Sequence, residues 1–267
     1  MKNLTQKVAV ITGAGSGIGQ ELAWNLANEG CRLALTDVNE AGLQETVAKM
    51  GLDVNRVATF VVDVSDKEAM EQLALDVIEK FGQVDIVINN AGISSRGSIE
   101  GHTYETFEKV IDINLWGVIY GCRAFLPFLR KQQQASLVNI SSINGMLPFM
   151  NNGPYNISKY AVLGLNETLM MELKDTSVQI LSVHPGGIQT NIVNNGIDQD
   201  ENMKKVFDDI AMTSPATAAQ VIVNGIKKRK SQIFIGSDAK VMQFLKRISA
   251  KLALWLSVYL TNQKLSS

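Results

Sequence analysis

Short apolar segments punctuate the chain, and the stretches between them carry helical patterning. KVAVIT (7–12), RLALTD (32–37), RVATFVVDV (56–64), DIVINN (85–90), SLVNISS (136–142), VQILSVHPG (178–186) and QIFIG (232–236) read as strands. Most are apolar on both faces, which suits a strand only inside a sheet covered on both sides. Between them, apolar residues recur three and four apart: Ile18, Leu22, Leu26 and Ala27 in 17–29, and Met70, Leu73, Val77 and Ile78 in 66–81. Further helices are expected over 39–50, 104–131 and 154–174. Strands alternating with amphipathic helices predict an α/β fold, a doubly wound parallel sheet of seven strands. Ligands of such sheets sit beyond the carboxyl ends of the strands. The unusual residues gather at those ends: Gly13 to Gly19, Asp37, Asp63, Asn89 to Gly92, Ser141, Ser142 and Pro185 to Gly187.

The first strand runs into TGAGSGIG (12–19) and then into a helix. Glycines there permit positive φ and a close approach of backbone N–H groups to a phosphate. The helix start adds partial positive charge and unpaired donors. The spacing is G-x-x-x-G-x-G, on Gly13, Gly17 and Gly19, with Ser16 and Ile18 between. A tight strand–helix turn without a ligand would read the same. Asp37 adds a second sign, because it ends the second strand 18 residues after Gly19. An acid there accepts hydrogen bonds from an adenosine ribose and repels a 2′-phosphate. It could instead be an acid opening helix 39–50. No Arg or Lys lies in the glycine turn or directly after Asp37, so NAD is expected rather than NADP.

YNISK (155–159) places Tyr155 and Lys159 four apart on one helix face. Ser142 lies thirteen residues earlier, at a strand end that meets the same sheet edge. A phenol is a poor base at neutral pH, with an ordinary pKa of about 10. A neighbouring ammonium would favour the phenolate. Ser142 can donate to an oxyanion developing on a carbonyl. The three together suit proton exchange coupled to hydride transfer.

TGAGSGIG, NNAG (89–92), DINLWG (112–117), NISS (139–142), YNISK and PGGIQT (185–190) fall in the order and spacing of the short-chain dehydrogenase/reductase family, which this chain resembles over roughly residues 5–190. The resemblance implies a Rossmann-type seven-stranded sheet and an NAD(P)-dependent oxidoreductase. It implies Tyr155 as acid/base, Lys159 as the residue that lowers its pKa and holds the nicotinamide ribose, and Ser142 as partner of the substrate oxygen. Asn114 matches the asparagine that holds a water in a proton relay. Asp63 and Val64 match an adenine-contacting pair. Asn90, Ala91 and Gly92 match the loop along the adenosine ribose, and Ile188 and Thr190 match contacts to the carboxamide. The family also implies a homodimer or homotetramer built on the helices near 104–131 and 154–174.

Other chemistries find little support. There is no G-x-S-x-G for a hydrolase, and His102 and His184 do not sit where a triad needs them. His184 reads as a packed or surface residue and His102 as a loop residue. No His, Asp and Glu cluster points to a metal. A net charge of −1 disfavours a nucleic-acid partner. Cys31 and Cys122, 91 positions apart, lack metal-ligand spacing and read as buried apolar residues, as suits a reducing cytoplasm. A dinucleotide-sensing protein without turnover is an alternative of another class, although it would not need all of Ser142, Tyr155 and Lys159.

On the substrate side, Met146, Leu147, Phe149 and Met150 follow Ser142, and the segment 188–212 reads as a lid with an amphipathic helix near 202–212. The apolar balance leans toward a lipophilic secondary alcohol or ketone, of steroid, retinoid or long-chain type, over small polar alcohols and sugars. The same side chains could simply dock the lid on the core. The catalytic unit spans 1–238 as one domain. Residues 239–267 form an appendage with Lys240, Lys246, Arg247, Lys251 and Lys264 and no acid, +5 against −1 overall, which leaves −6 on the rest. Val241, Leu245, Ile248, Leu252, Trp255 and Tyr259 recur at helical spacing. LALWLSVYL (252–260) is too short to span a bilayer. The appendage either packs on the protein or a partner subunit, or touches a membrane surface through 240–260.

Overall fold

The structure is a computed structural model that describes residues 1–51, 53, 55–190, 197 and 212–265. All seven expected strands are present: β1 (Val8–Thr12), β2 (Arg32–Asp37), β3 (Val57–Val61), β4 (Ile86–Asn89), β5 (Ala135–Ile140), β6 (Val178–Pro185) and β7 (Gln232–Ile235). They form one parallel sheet in the order β3-β2-β1-β4-β5-β6-β7. The chain enters at the middle, winds to one edge, returns, and winds to the other. Val10 of β1 faces Ala34 of β2 on one side and Val87 of β4 on the other. The winding reverses between β1 and β4, which opens a crevice at their carboxyl ends.

The described helices are α1 (Gly17–Asn28), α2 (Glu40–Ala48), α3 (Lys67–Phe81), α4 (Tyr104–Ile111), α5 (Gly117–Leu129), α6 (Gly153–Glu172), α7 (Pro215–Lys227), α8 (Ser237–Ile248) and α9 (Ala250–Leu265). Side-chain caps fix several starts. Asn39 accepts from the Gly42 N–H, Asp66 from Ala69, Thr103 from Thr106 and Ser214 from Thr217. Two apolar layers cover the sheet. Leu22 and Leu26 of α1 and Ile222 and Ile226 of α7 pack with Ile11 and Leu35 on one face. Met70 and Val77 of α3, Phe125 of α5 and Val162 of α6 pack with Val10, Val87 and Leu137 on the other. Each such side chain, wholly removed from water, contributes on the order of 2 kcal/mol.

Two features depart from the expected pattern. The helix read over 104–131 is interrupted by a π turn at Asp112–Trp116, which separates α4 from α5 and holds the buried Asn114. The appendage starts at Ser237, inside the run expected to belong to the catalytic unit. Ala239, Met242 and Ala253 on its inner side form a small core with Ile143 and Leu147, with Phe149 packed against it. The expected helix near 202–212 and most of the expected lid lie outside the described residues. Among described residues, Ile188 bridges Thr213, and Ser95 bridges Ile197.

Asp85, at the foot of β4, ties the two central strands together. It is fully buried and accepts from Lys7 Nζ at 2.7 Å, from the Val8 N–H at 2.9 Å and from Gln83 Nε2 at 2.8 Å. Replacing it leaves buried donors without a partner. Asp85→Ala is expected to lower unfolding free energy by about 3 kcal/mol, read as a lower urea midpoint with an unchanged m value.

Candidate active site

A cleft of about 940 Å³ opens at the carboxyl edge of the sheet. It is near the upper end of the ~300–1,000 Å³ usual for small-molecule sites. Its floor is the glycine turn between β1 and α1. Gly13 and Gly17 hold φ of +66° and +54°, a conformation that a side chain strains. Gly13, Ser16, Gly17 and Ile18 line the cleft as expected. Gly19 does not. A Cβ there would stand 2.0 Å from the Gly13 carbonyl oxygen, so this glycine lets α1 close on the turn beneath the cleft.

Asp37 ends β2 at the cleft wall. Its carboxylate accepts from the Gly15 N–H at 2.9 Å and from the Asn39 N–H at 3.0 Å, which ties the acid to the glycine turn. Asp63 and Val64 lie farther along the wall. Asp63 is occupied locally, accepting from the Ser65 N–H and hydroxyl. Val64 packs beneath Gly117, where a Cβ would meet its methyl at 2.8 Å. Asn90, Ala91 and Gly92 leave β4 along the opposite wall. Asn90 braces the turn by donating to the carbonyls of Thr12 and Gly13 at 2.9 and 3.2 Å. Ile188 and Thr190 close the far side.

Ser142, Tyr155 and Lys159 meet at the inner end of the cleft. Ser142 follows β5 and caps a short 3₁₀ turn, accepting from the Asn144 N–H at 3.1 Å. Tyr155 lies in the first turn of α6. Burial raises its phenol above the ordinary range, and a hydrogen bond with Ser142 draws it partly back. Lys159 is 3% exposed and donates to the Ile140 carbonyl at 3.0 Å. Burial disfavours its charge and brings its pKa down to about 8. Its Nζ lies 5.6 Å from the Tyr155 ring centre. The expectation that the lysine makes this phenol unusually acidic is therefore not met in the free protein. Loss of water is the first cause of the shift at both groups.

Asn114 stands behind the triad and off the cleft wall. Its amide grips the Ile93 backbone from both sides, accepting from the N–H and donating to the carbonyl, each at 2.8 Å, and it also donates to Ser158 Oγ at 3.2 Å. Those bonds hold the strand exit at Gly92 close to Lys159: a Cβ on Gly92 would lie 3.5 Å from its Nζ. Met146 to Met150 are not among the described residues that line the cleft. Leu147 and Phe149 pack against α8 and α9.

Two residues brace the site in ways the sequence reading did not assign to them, although His184 was read as packed or surface. Asp238 opens α8 and accepts from the Gly187 N–H at 2.7 Å, fixing the PGG segment above the cleft. An acid just beyond the seventh strand was a usable signal. His184 is fully buried on β6, stacked on Phe234. Its Nδ1 lies 3.3 Å from the Ser142 carbonyl, an acceptor, so Nδ1 carries the proton. Nε2 then accepts from Ser182 Oγ at 2.9 Å and Gln232 Nε2 at 3.1 Å. A one-way chain leads to that ring: Asn89 donates to Asn139, Asn139 to Asn166, and Asn166 to Ser182. Nothing in the local sequence of His184 marks this role.

The profile of the short chain dehydrogenase family matches residues 7–202. The chain belongs to that family. A Mycobacterium tuberculosis protein named as an oxidoreductase, SadH, is 38% identical over 255 residues, covering 93% of this chain and 92% of the relative. An uncharacterized oxidoreductase of Staphylococcus saprophyticus is 39% identical over 210 residues, 78% of this chain and 88% of its own. A short-chain dehydrogenase/reductase from Burkholderia phymatum, solved in complex with NAD, superimposes with a TM-score of 0.87 at 28% identity, covering 94% of this chain and 96% of its own. Levodione reductase superimposes at 0.80 with 30% identity, covering 88% and 98%. The glycine cradle, the cleft volume and Asp37 fit the nicotinamide dinucleotide that this family implies. Among described residues no group of acidic, histidine or cysteine side chains could hold a metal, and no helix is long and apolar enough to cross a membrane.

Burial lowers the pKa of His184 from 6.5 to about 4. Between those values the unfolded chain takes up a proton that the native ring excludes. The contribution of His184 to stability is therefore full above about pH 6.5 and is lost as pH falls toward 4, by up to about 3 kcal/mol. In His184→Gln the plot of unfolding free energy against pH should be flatter across that window than in the parent, as measured by urea titrations from pH 4.5 to 7.

Proposed function

We propose that the chain is an NAD-dependent alcohol dehydrogenase or ketoreductase acting on a secondary alcohol or ketone with a lipophilic substituent. The observation that carries this reading is the meeting of Ser142, Tyr155 and Lys159 at the inner end of a cleft whose outer half is a glycine turn and an acid-ended strand. A bound nicotinamide supplies the hydride acceptor or donor. Ser142 would donate its hydroxyl hydrogen to the substrate oxygen. As phenolate, Tyr155 would take the hydroxyl proton of an alcohol during oxidation; as phenol, it would give its proton to the oxygen of a ketone during reduction. The raised phenol rests protonated at neutral pH, so the free protein carries the form that reduction needs. Lys159 would hold the nicotinamide ribose, Asn90, Ala91 and Gly92 would run along the adenosine ribose, Ile188 and Thr190 would contact the carboxamide, and Asp63 and Val64 the adenine.

NAD is favoured by the chemistry after β2. Val38, Asn39, Ala41 and Gly42 follow Asp37 along the cleft, and none is cationic. The solved neighbour from Burkholderia carries NAD, which agrees. Ile93 on the cleft wall supports a lipophilic substrate, although Leu147 and Phe149 of the loop after Ser142 pack elsewhere. Exposed Tyr104, Trp116, Ile157 and Met171 on α4, the π turn and α6 support a homo-oligomer formed through those helices. The two buried thiols, each pushed up to about 12 by burial, suit a reducing cytoplasm.

Tyr155→Phe should lower kcat at least ~100-fold with little change in cofactor affinity. In the parent, kcat/KM for alcohol oxidation should climb as pH rises toward the phenol's elevated pKa, while ketone reduction should fall there. NADH absorbance with a panel of secondary alcohols reads both, and a phenylalanine variant as fast as the parent would exclude Tyr155 as the acid/base. Asp37→Ala should cut the preference for NAD over NADP by about tenfold, seen as the ratio of kcat/KM values.

A further inference from the structure

The two C-terminal helices differ sharply between their faces. Inward, Ala239 and Met242 of α8 and Ala253 of α9 are buried against the loop that joins Ser142 to Tyr155. Lys246 Nζ donates to the Met146 carbonyl and to Tyr160 Oη, and Ser257 Oγ donates to the Pro148 carbonyl at 3.1 Å. Outward, the side chains are apolar and exposed. On α8, Val241, Phe244 and Ile248 are 54%, 61% and 64% exposed, on one stripe with the exposed Lys240 and Arg247. On α9, Trp255 and Tyr259 stack at 5.5 Å, with Val258 and Lys251 also outward. No acid occurs anywhere in 239–267.

We propose that the outward faces of α8 and α9 dock on an anionic lipid surface and hold the active-site loop against the bilayer. The chemistry selects this occupant. Exposed aromatic and aliphatic side chains flanked by Lys and Arg match the boundary between headgroups and acyl chains. From Ser237 on, five cations stand against one acid, Asp238, which is tied to the Gly187 N–H, while the chain before it is net −5, so an anionic surface attracts one end of the molecule and repels the rest, which orients it. A second copy is the competing occupant. A two-fold interface presents the same patch from both subunits. It would bring together two copies of one patch carrying Lys240, Arg247 and Lys251, like charge on both sides. Docking of this kind does not depend on the substrate, because only the face and its charge enter it.

The test is co-sedimentation of the full chain with phosphatidylcholine vesicles, with and without phosphatidylglycerol, alongside light scattering of the protein alone. The expected result is binding to the phosphatidylglycerol vesicles at least ~10-fold stronger than to neutral ones, weakened by salt. Phe244→Glu with Trp255→Glu should abolish that binding while the molecular mass in solution and thermal unfolding stay as in the parent. A second variant, Lys240→Gln with Arg247→Gln and Lys251→Gln, should weaken binding without removing any apolar contact. No binding by the parent, binding indifferent to lipid charge, or binding kept by the glutamate variant would each overturn the proposal. So would a fall in molecular mass in the glutamate variant, which would assign the face to a second copy. Vesicle binding needs no turnover, so failure of the enzymatic reading leaves this outcome legible.

Discussion

Ser142 is held from behind by a polar chain that crosses the core in one direction. Each member from Asn89 through Asn139, Asn166 and Ser182 donates to the next, and His184 passes the last hydrogen to the Ser142 carbonyl. Buried polar groups are costly unless each finds a partner. Here the requirement fixes each amide orientation along the chain and one imidazole tautomer, and among these groups Asn89 Oδ1, at the chain's start, is left without a partner. The chain links β4, β5, α6 and β6, the elements that deliver the reactive groups. It therefore joins the packing of the sheet to the placement of the serine backbone, and makes the site a product of the whole central sheet rather than of one loop.

The same economy of water governs the reactive pair. Tyr155 and Lys159 lie on α6 because four residues make roughly one turn, and their helix is pressed against β5. Removing water shifts both groups toward their neutral forms. A neutral phenol beside a readily neutralised amine is a pair between which small changes in local charge move a proton. Anything that brings charge or donors into the cleft will act on that balance directly.

Much of this was legible in the sequence because it depends on local pattern. The seven apolar runs became the seven strands, since both-face hydrophobicity leaves few other places for a segment to go. The glycine turn, Asp37, Ser142, Tyr155 and Lys159 were legible because a parallel sheet sends every strand end to one edge. Gly19 was misplaced because a packing glycine and a ligand-facing glycine look alike in sequence. His184 was read as packed or surface and is packed, but neither it nor Asp238 could be placed beside the site, because their partners, the Ser142 carbonyl and the Gly187 N–H, are backbone groups 42 and 51 residues away. The loop after Ser142 was left open between lining the pocket and docking on the core, because apolar content does not say which neighbour receives it. The C-terminal helices supplied that neighbour.

The widened turn at Asp112–Trp116 has a further consequence. A π turn accommodates one residue more than an α turn, which offsets all of α5 by about 100° around the helix axis. Gly117, Gly121 and Phe125 face the sheet only in that offset phase, and at Gly121 there is no room for a Cβ beside Asn89. A deletion anywhere in those five positions would thus do more than straighten a helix. It would rotate an entire apolar stripe away from the core while also withdrawing the amide that clasps Ile93. One supernumerary residue sets the phase of a structural helix and the stance of an active-site wall together.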